Sequence, residues 1–217
     1  MQIDLAHRAT SAWLDAADLA REVYAQAYGA EVAPRPDSFI VARPACGGAA
    51  EPCPPLACAG LTFGREQELF SERYLDTGVE AAVLAHLGVT VDRRRVVEVG
   101  ALATRRVSVG RELIRATPII SWCLGMEYIL CTVTRSLITT LGRTGICFVP
   151  FGPADPGRLS PDEAARWGSY YDHQPQVGVI ALNALDRLFS DTTGRYSVTD
   201  LQLSISAMEV AGHAGHQ

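Results

Sequence analysis

Between residues 11 and 28 the apolar positions recur at helical spacing. Trp13, Ala16, Ala17, Ala20, Tyr24 and Ala27 share one face, Ser11 is available as a cap, and Gly29 is placed to end the run. The pattern then changes to short apolar runs that predict strands over 38–43, around Phe39, Ile40 and Val41, and over 56–63. Between them the segment 44–55 holds four prolines and two glycines, the loop of a long hairpin. An acidic, aromatic block follows, with Glu66, Glu68, Phe70, Glu72, Tyr74, Asp76 and Glu80, in which Asp76-Thr77-Gly78 separates a short helix from another over 79–87. Further strands are predicted at 96–104, 128–134, 146–151 and 176–182. The intervening helices start at Ser108 or Gly110, where Pro118 breaks or kinks the run, and cover 135–141, 161–167 and 185–189. Helices interleaved with strands, without an internal repeat, predict an α/β fold: one mixed central sheet flanked by helices, with the 96–104 strand central. The expected organisation is one domain over 1–190 and a C-terminal extension over 191–217. That extension is small and polar, so disorder is expected there rather than metal binding by His213 and His216.

The 96–104 run carries two local penalties. Val96, Val97, Val99 and Leu102 suit a buried strand, yet Glu98 and Gly100 stand among them. A buried carboxylate needs partners or a proton, and a glycine inside a strand marks a bulge or a close ligand approach. Together they suggest a site. The alternative is that Glu98 faces solvent and Gly100 only ends the strand, since strand faces alternate. Behind this run stand Arg105, Arg106 and Arg111. A helix start there would offer free N–H groups and forked cationic donors to a phosphate or pyrophosphate; the competing reading is three arginines on a solvated surface.

Composition narrows the classes. The net charge of −5 argues against a general nucleic-acid binder. All nineteen basic residues are arginine, which excludes lysine as Schiff base or general base. The most apolar window, 118–133, is interrupted by Glu127 and too short to span a bilayer. With no secretory signal pattern in the first ten residues, the expectation is a soluble, cytoplasmic protein with reduced thiols. The six cysteines form no Cys-x-x-Cys pair and no zinc motif, so no metal is expected. Cys123, Cys131 and Cys147 read as small core residues.

Three blocks in order, Leu69-Phe-Ser-Glu-Arg-Tyr-Leu-Asp76 followed by Glu80, Glu98-Val-Gly-Ala-Leu-Ala103 and Trp167-Gly-Ser-Tyr-Tyr171, resemble the thermostable hemolysin family. The resemblance spans roughly Ala12 to Leu182. That family is similar to the acyl-homoserine-lactone synthases, which are GNAT-like acyltransferases. The resemblance therefore implies a single-domain GNAT-like fold and transfer of an acyl group to a small-molecule amine in a biosynthetic pathway. The donor would be a coenzyme A thioester or the phosphopantetheine of an acyl carrier protein. It implies Glu98 as the base for the amine proton and Tyr170 or Tyr171 as the acid for the leaving thiolate. Glu72, Tyr74, Glu80 and Trp167 would meet the acceptor, the two glutamates holding a cationic group, although a charged helix face accounts for the glutamates as well. Arg105, Arg106, Ser108 and Gly110 would meet the donor's phosphates. Two departures stand out. Ala101 occupies a position where the family usually has asparagine. Of the arginine–phenylalanine–arginine–tryptophan pattern with which the lactone synthases close over their sulfonium substrate, Arg21 and Tyr24 are only a partial echo. Two alternatives follow from the same resemblance: a synthase using S-adenosylmethionine, and a membrane-active hemolysin without enzymatic activity.

Overall fold

The first strand, β1 (Gln2–His7), has no counterpart in the sequence reading. It pairs antiparallel with β2 (Ser38–Arg43) as the edge of a seven-stranded sheet. The structure, a computed structural model, describes residues 1–45, 53–65 and 68–185. Along the chain α1 (Ser11–Tyr28) and β2 are followed by β3 (Ala57–Phe63), α2 (Val79–Leu87), β4 (Val96–Thr104) and α3 (Val107–Cys123). Then come β5 (Tyr128–Val133), α4 (Arg135–Arg143), β6 (Val149–Pro153), α5 (Pro161–Ala165) and β7 (Gln176–Ala181). The sheet order β1-β2-β3-β4-β5-β7-β6 makes β4 the middle strand, as expected. Only β4 and β5 run parallel among its pairs.

Alternation along the strands supplies both faces. Ile40, Ala42, Val97, Ile129 and Ile180 pack with Leu113 of α3 and Leu141 of α4. On the other face Phe39, Val41 and Cys58 pack under Trp13, Ala16 and Leu19 of α1. Further along that face, Val96, Leu130 and Val179 pack with Leu69, Val79 and Val83. Burial of such side chains, at roughly 1.5–3 kcal/mol each, is the main force on the fold.

Several boundaries differ from the reading above. Thr10, not Ser11, caps α1, its hydroxyl accepting the Trp13 N–H, and Gly29 ends it in the left-handed region at φ 65°. Pro118 does not interrupt α3, which runs unbroken past it. Thr117 meanwhile turns its hydroxyl back to the Leu113 carbonyl at 2.8 Å. The sixth strand starts three residues later than expected and ends two later, and its prolines, Pro150 and Pro153, are tolerated because β6 is an edge. Cys123 and Cys147 are exposed, not core; only Cys131 of that trio is buried. Cys53 is disulfide-bonded, so the expectation of uniformly reduced thiols fails there. The helix expected over 185–189 and the extension over 191–217 fall, apart from Leu185, outside the described residues.

Gly100 is followed at once by a β-bulge. Cys58 faces Ala103 and Gly60 faces Gly100, so Ala101 and Leu102 together oppose Ala59. Ala101 takes φ 48° to make that turn, a conformation that costs an L-residue roughly 1–2 kcal/mol. Ala101→Gly should therefore stabilise the protein by about 0.5–1 kcal/mol after the entropy cost of glycine. The thermal midpoint should rise by about 1–4 °C; a fall would mean that the bulge is not held in this conformation.

Candidate active site

β4 and β5 stay together for three residues only, Val96–Glu98 against Tyr128–Leu130. Beyond them β4 follows β3 and β5 follows β7, so the parallel pair splays and a slot opens through the sheet. A cavity of about 100 Å³ occupies it, walled by Val99, Gly100 and Leu102 on one side and by Cys131, Thr132 and Val133 on the other. Its apolar end lies among Ile114 and Pro118 of α3 and Leu137 and Leu141 of α4. Its polar end lies among Tyr24, Tyr28 and Tyr170. A Cβ on Gly100 would meet nothing within 4 Å, so the glycine leaves open room at the slot.

Glu98 is 8% exposed and stands on the face shared with Leu130 and Val96, just behind the cavity wall. Its carboxylate accepts the Phe70 N–H at 2.8 Å, the Ser71 N–H at 2.8 Å and the Ser71 hydroxyl at 2.6 Å. The 3-10 turn Phe70–Tyr74 is what aims those donors. Burial pushes the Glu98 carboxyl up; the Ser71 hydroxyl and the two N–H groups pull it back, and the Glu72 charge adds a further push. The net effect is a proton affinity above that of an ordinary carboxylate. Ser71 continues the chain of contacts, its Oγ lying 2.9 Å from Thr132 Oγ1.

The tyrosines divide. Tyr170 is buried at the cavity, stacked near Tyr24 with ring centroids 6.3 Å apart, and donates to the Thr132 carbonyl at 3.2 Å. Tyr171 instead faces Tyr74, hydroxyl to hydroxyl at 2.7 Å. Burial pushes the phenols of Tyr24, Tyr74, Tyr170 and Tyr171 up, so all remain protonated near neutrality. Trp167 packs on Phe70, Tyr24 and Tyr170, joining this aromatic group without lining the cavity. Gly168 makes the junction possible. At φ 53° it sits so close to the end of α1 that a Cβ would lie 2.1 Å from the Tyr28 carbonyl oxygen, and the Ser169 N–H bonds that same oxygen at 2.8 Å.

Glu72 and Glu80 are placed elsewhere. Both are bonded to Arg93 of their own chain, Glu72 through both terminal guanidinium nitrogens and Glu80 at 3.1 Å. Glu72 also accepts the Leu69 and Val79 N–H groups at 2.7 Å each, which joins the 3-10 turn to the start of α2. The cation these glutamates hold is thus internal.

The arginine segment is brought to the start of α3. Arg106 is its N-cap residue with no side-chain cap, and Arg106, Ser108 and Arg111 are exposed around the first turn. Arg105 is paired to Glu22 of α1 at 2.5 Å. Gly110 is inside the helix rather than at its start; a Cβ there would lie 2.7 Å from Thr104 Cγ2, so the glycine lets α3 close onto the end of β4. The sequence reading passed over Tyr28, Thr132 and the role of Ser71. A threonine in the otherwise apolar β5 run was the visible signal for one of them.

Residues 6–185 match the family described as "Thermostable hemolysin", and the chain belongs to that family. The fold is that of the GNAT-like synthases. The acyl-homoserine-lactone synthase LasI superposes with a TM-score of 0.55 at 13% identity, over 87% of this chain and 94% of that one. The CoA-dependent acyl-homoserine lactone synthase BjaI, in complex with MTA, gives 0.54 at 12% identity, over 88% and 89%. FeeM, an N-acyl amino acid synthase from uncultured soil microbes, gives 0.53 at 12% identity, over 87% and 99%. No curated protein matches the chain in sequence.

Proposed function

We propose that the protein is an N-acyltransferase that moves an acyl group from a coenzyme A or carrier-protein thioester to a small-molecule amine. The observation that carries this reading is the slot between β4 and β5, apolar at one end and phenolic at the other, with a raised-affinity carboxylate behind its wall. A thioester's acyl chain suits the end formed by Ile114, Leu137 and Leu141. Its carbonyl then lies near Gly100 and Thr132, and its phosphates reach toward the bare first turn of α3 and Arg106. The acceptor amine enters among Tyr24, Tyr28 and Tyr170, whose ring faces favour a cation. Glu98 takes its proton, and Tyr170, protonated and at the cavity, is the better placed of the two candidate acids for the leaving thiolate. Acyl-homoserine-lactone and N-acyl amino acid synthesis by the structural neighbours agrees with this class of reaction.

S-adenosylmethionine is not favoured as acceptor. Arg21, half of the partial echo on α1, is exposed and paired with Asp18, while Tyr24 faces the cavity. A purely membrane-lytic role has no spanning element to support it among the described residues, where no helix is long and apolar enough to cross a bilayer.

The test is a thermal-shift and thiol-release panel of acyl-coenzyme A donors with amino-acid acceptors, because a ligand bound only by the folded state raises its apparent stability. Donor-dependent stabilisation and amine-dependent thiol release are expected; neither occurring would remove the acyltransferase reading. In the same panel Arg106→Ala should weaken coenzyme A binding and lower its salt sensitivity, with little effect on folding, since exposed charges contribute little to stability. Unchanged affinity by calorimetry would take the start of α3 out of the site.

A further inference from the structure

If Glu98 is the final acceptor of the amine proton, a gap remains between them, because the carboxylate stands behind the cavity wall and not in it. The hydrogen bonds across that gap have a determined direction. An ionised carboxylate only accepts, and a serine hydroxyl has one proton to give. Ser71 gives that proton to Glu98 Oε1 at 2.6 Å. The 2.9 Å contact between Ser71 Oγ and Thr132 Oγ1 must then be donated by Thr132. Thr132, whose own proton is so committed, lines the cavity and can only accept from whatever occupies it. The chain of hydroxyls therefore runs one way, from cavity to carboxylate.

We infer that Thr132 and Ser71 form a proton relay that carries the acceptor amine's proton from the cavity to Glu98, an inference that rests on the acyltransferase reading above. An N–H bond of the ammonium breaks as its proton joins Thr132 Oγ1. The Thr132 proton passes to Ser71 Oγ, and the Ser71 proton passes to Glu98 Oε1. One N–H and two O–H bonds break, three O–H bonds form, and the result is a neutral amine and a carboxylic acid. Tyr170 gives its proton to the departing thiolate and takes in its place the nitrogen's second proton, released once the C–N bond has formed. Glu98 then returns its proton through the same hydroxyls in reverse to a water that enters the cavity once the products have left, and so to solvent. The arrangement gives a route to the cavity for a carboxylate that has no place in its lining. It also explains why position 132, between Cys131 and Val133 on a strand of the core, carries a hydroxyl where valine would fill the same space.

The test compares Thr132→Val, Thr132→Ser and Glu98→Gln in the full chain, with butyryl-coenzyme A and the amino-acid panel, reading thiol release. Thr132→Val should lower kcat by about 10²-fold or more, with the donor KM changed by no more than a small factor. Thr132→Ser should restore most of the rate, and Thr132→Val added to Glu98→Gln should cost nothing further. Thr132→Val turning over like the wild type while Glu98→Gln is slow would overturn the relay and leave Glu98 as base by another route. A second readout needs no turnover. After a downward pH jump, the infrared carbonyl band of protonated Glu98, identified by its loss in Glu98→Gln, should appear several-fold more slowly in Thr132→Val with the same midpoint. Equal rates overturn the relay. Absence of thiol release from the wild type with every pair would instead overturn the acyltransferase reading, and the infrared rates would still decide the relay.

Discussion

Glu98→Gln is expected to lower turnover by about 10²–10⁴-fold, the equivalent of roughly 3–5 kcal/mol of barrier, while leaving the donor's affinity in place. Glutamine fills the same volume beside Ser71 and Phe70 but takes no proton. It does not fit without cost, because three donors converge on the native carboxylate and the amide NH₂ must face one of them. With its oxygen turned to Ser71, the mismatch falls on the Phe70 N–H, at about 1–3 kcal/mol of stability. Kinetics should therefore be read well below the variant's thermal midpoint. The pH profile separates a base from a structural residue. Wild-type kcat/KM should fall as the pH drops through the Glu98 value, which burial places above the ordinary 4.5. The variant should lack that limb and recover part of its rate at high pH, where the amine is already neutral. Stability should move in the opposite sense. A carboxyl whose folded affinity is raised contributes most below its ordinary value, and that contribution is lost as the pH rises through the folded one. Retention of more than about half of the wild-type rate, with chemistry limiting, would make Glu98 structural; general-base loss does not leave so much.

Periodicity located nearly every described element, because most helices and strands here bury one regular face. The exceptions have physical causes. β1 alternates weakly, with Gln2 and His7 exposed and a half-buried Asp4 between them at a sheet edge, and so carries little apolar signal. Pro118 signalled a break, yet α3 runs on through it, with Ile114 and Pro118 one turn apart at the cavity. Of the site, Glu98 and Gly100 were visible as misfits in an apolar strand. Their partners were not, since Ser71 and Thr132 lie 61 residues apart in sequence and meet only through the fold. Glu72 and Glu80 were visible as charge but not as destination. Nothing in a single sequence says that Arg93, rather than a substrate, receives them.

That destination makes Glu72→Ala the largest expected loss of stability, about 3–5 kcal/mol, or a fall of roughly 6–20 °C in thermal midpoint. Glu72 is 6% exposed and is held by four donors: the Leu69 and Val79 N–H groups and two nitrogens of Arg93. Removing it takes the bidentate partner from a largely buried guanidinium, to which Glu80 stays bonded, and uncaps both the 3-10 turn and α2. Arg93→Leu should cost less, because Glu72 keeps its two backbone donors when the guanidinium is gone. The pH dependence follows from the direction of the Glu72 shift. Burial pushes its carboxyl up, but the bonds from Arg93, Leu69 and Val79 outweigh that and hold it below the ordinary 4.5. A lowered folded value means that the stabilisation is complete above the ordinary value and is lost as the pH falls toward and through the folded one. Denaturant unfolding should accordingly show a wide gap between wild type and Glu72→Ala at pH 7 that narrows steadily below about pH 4.5. Should Glu72→Ala keep its unfolding midpoint and instead raise the amine's KM selectively, the carboxylate would belong to the acceptor site. The fold would then have to hold Arg93 without it.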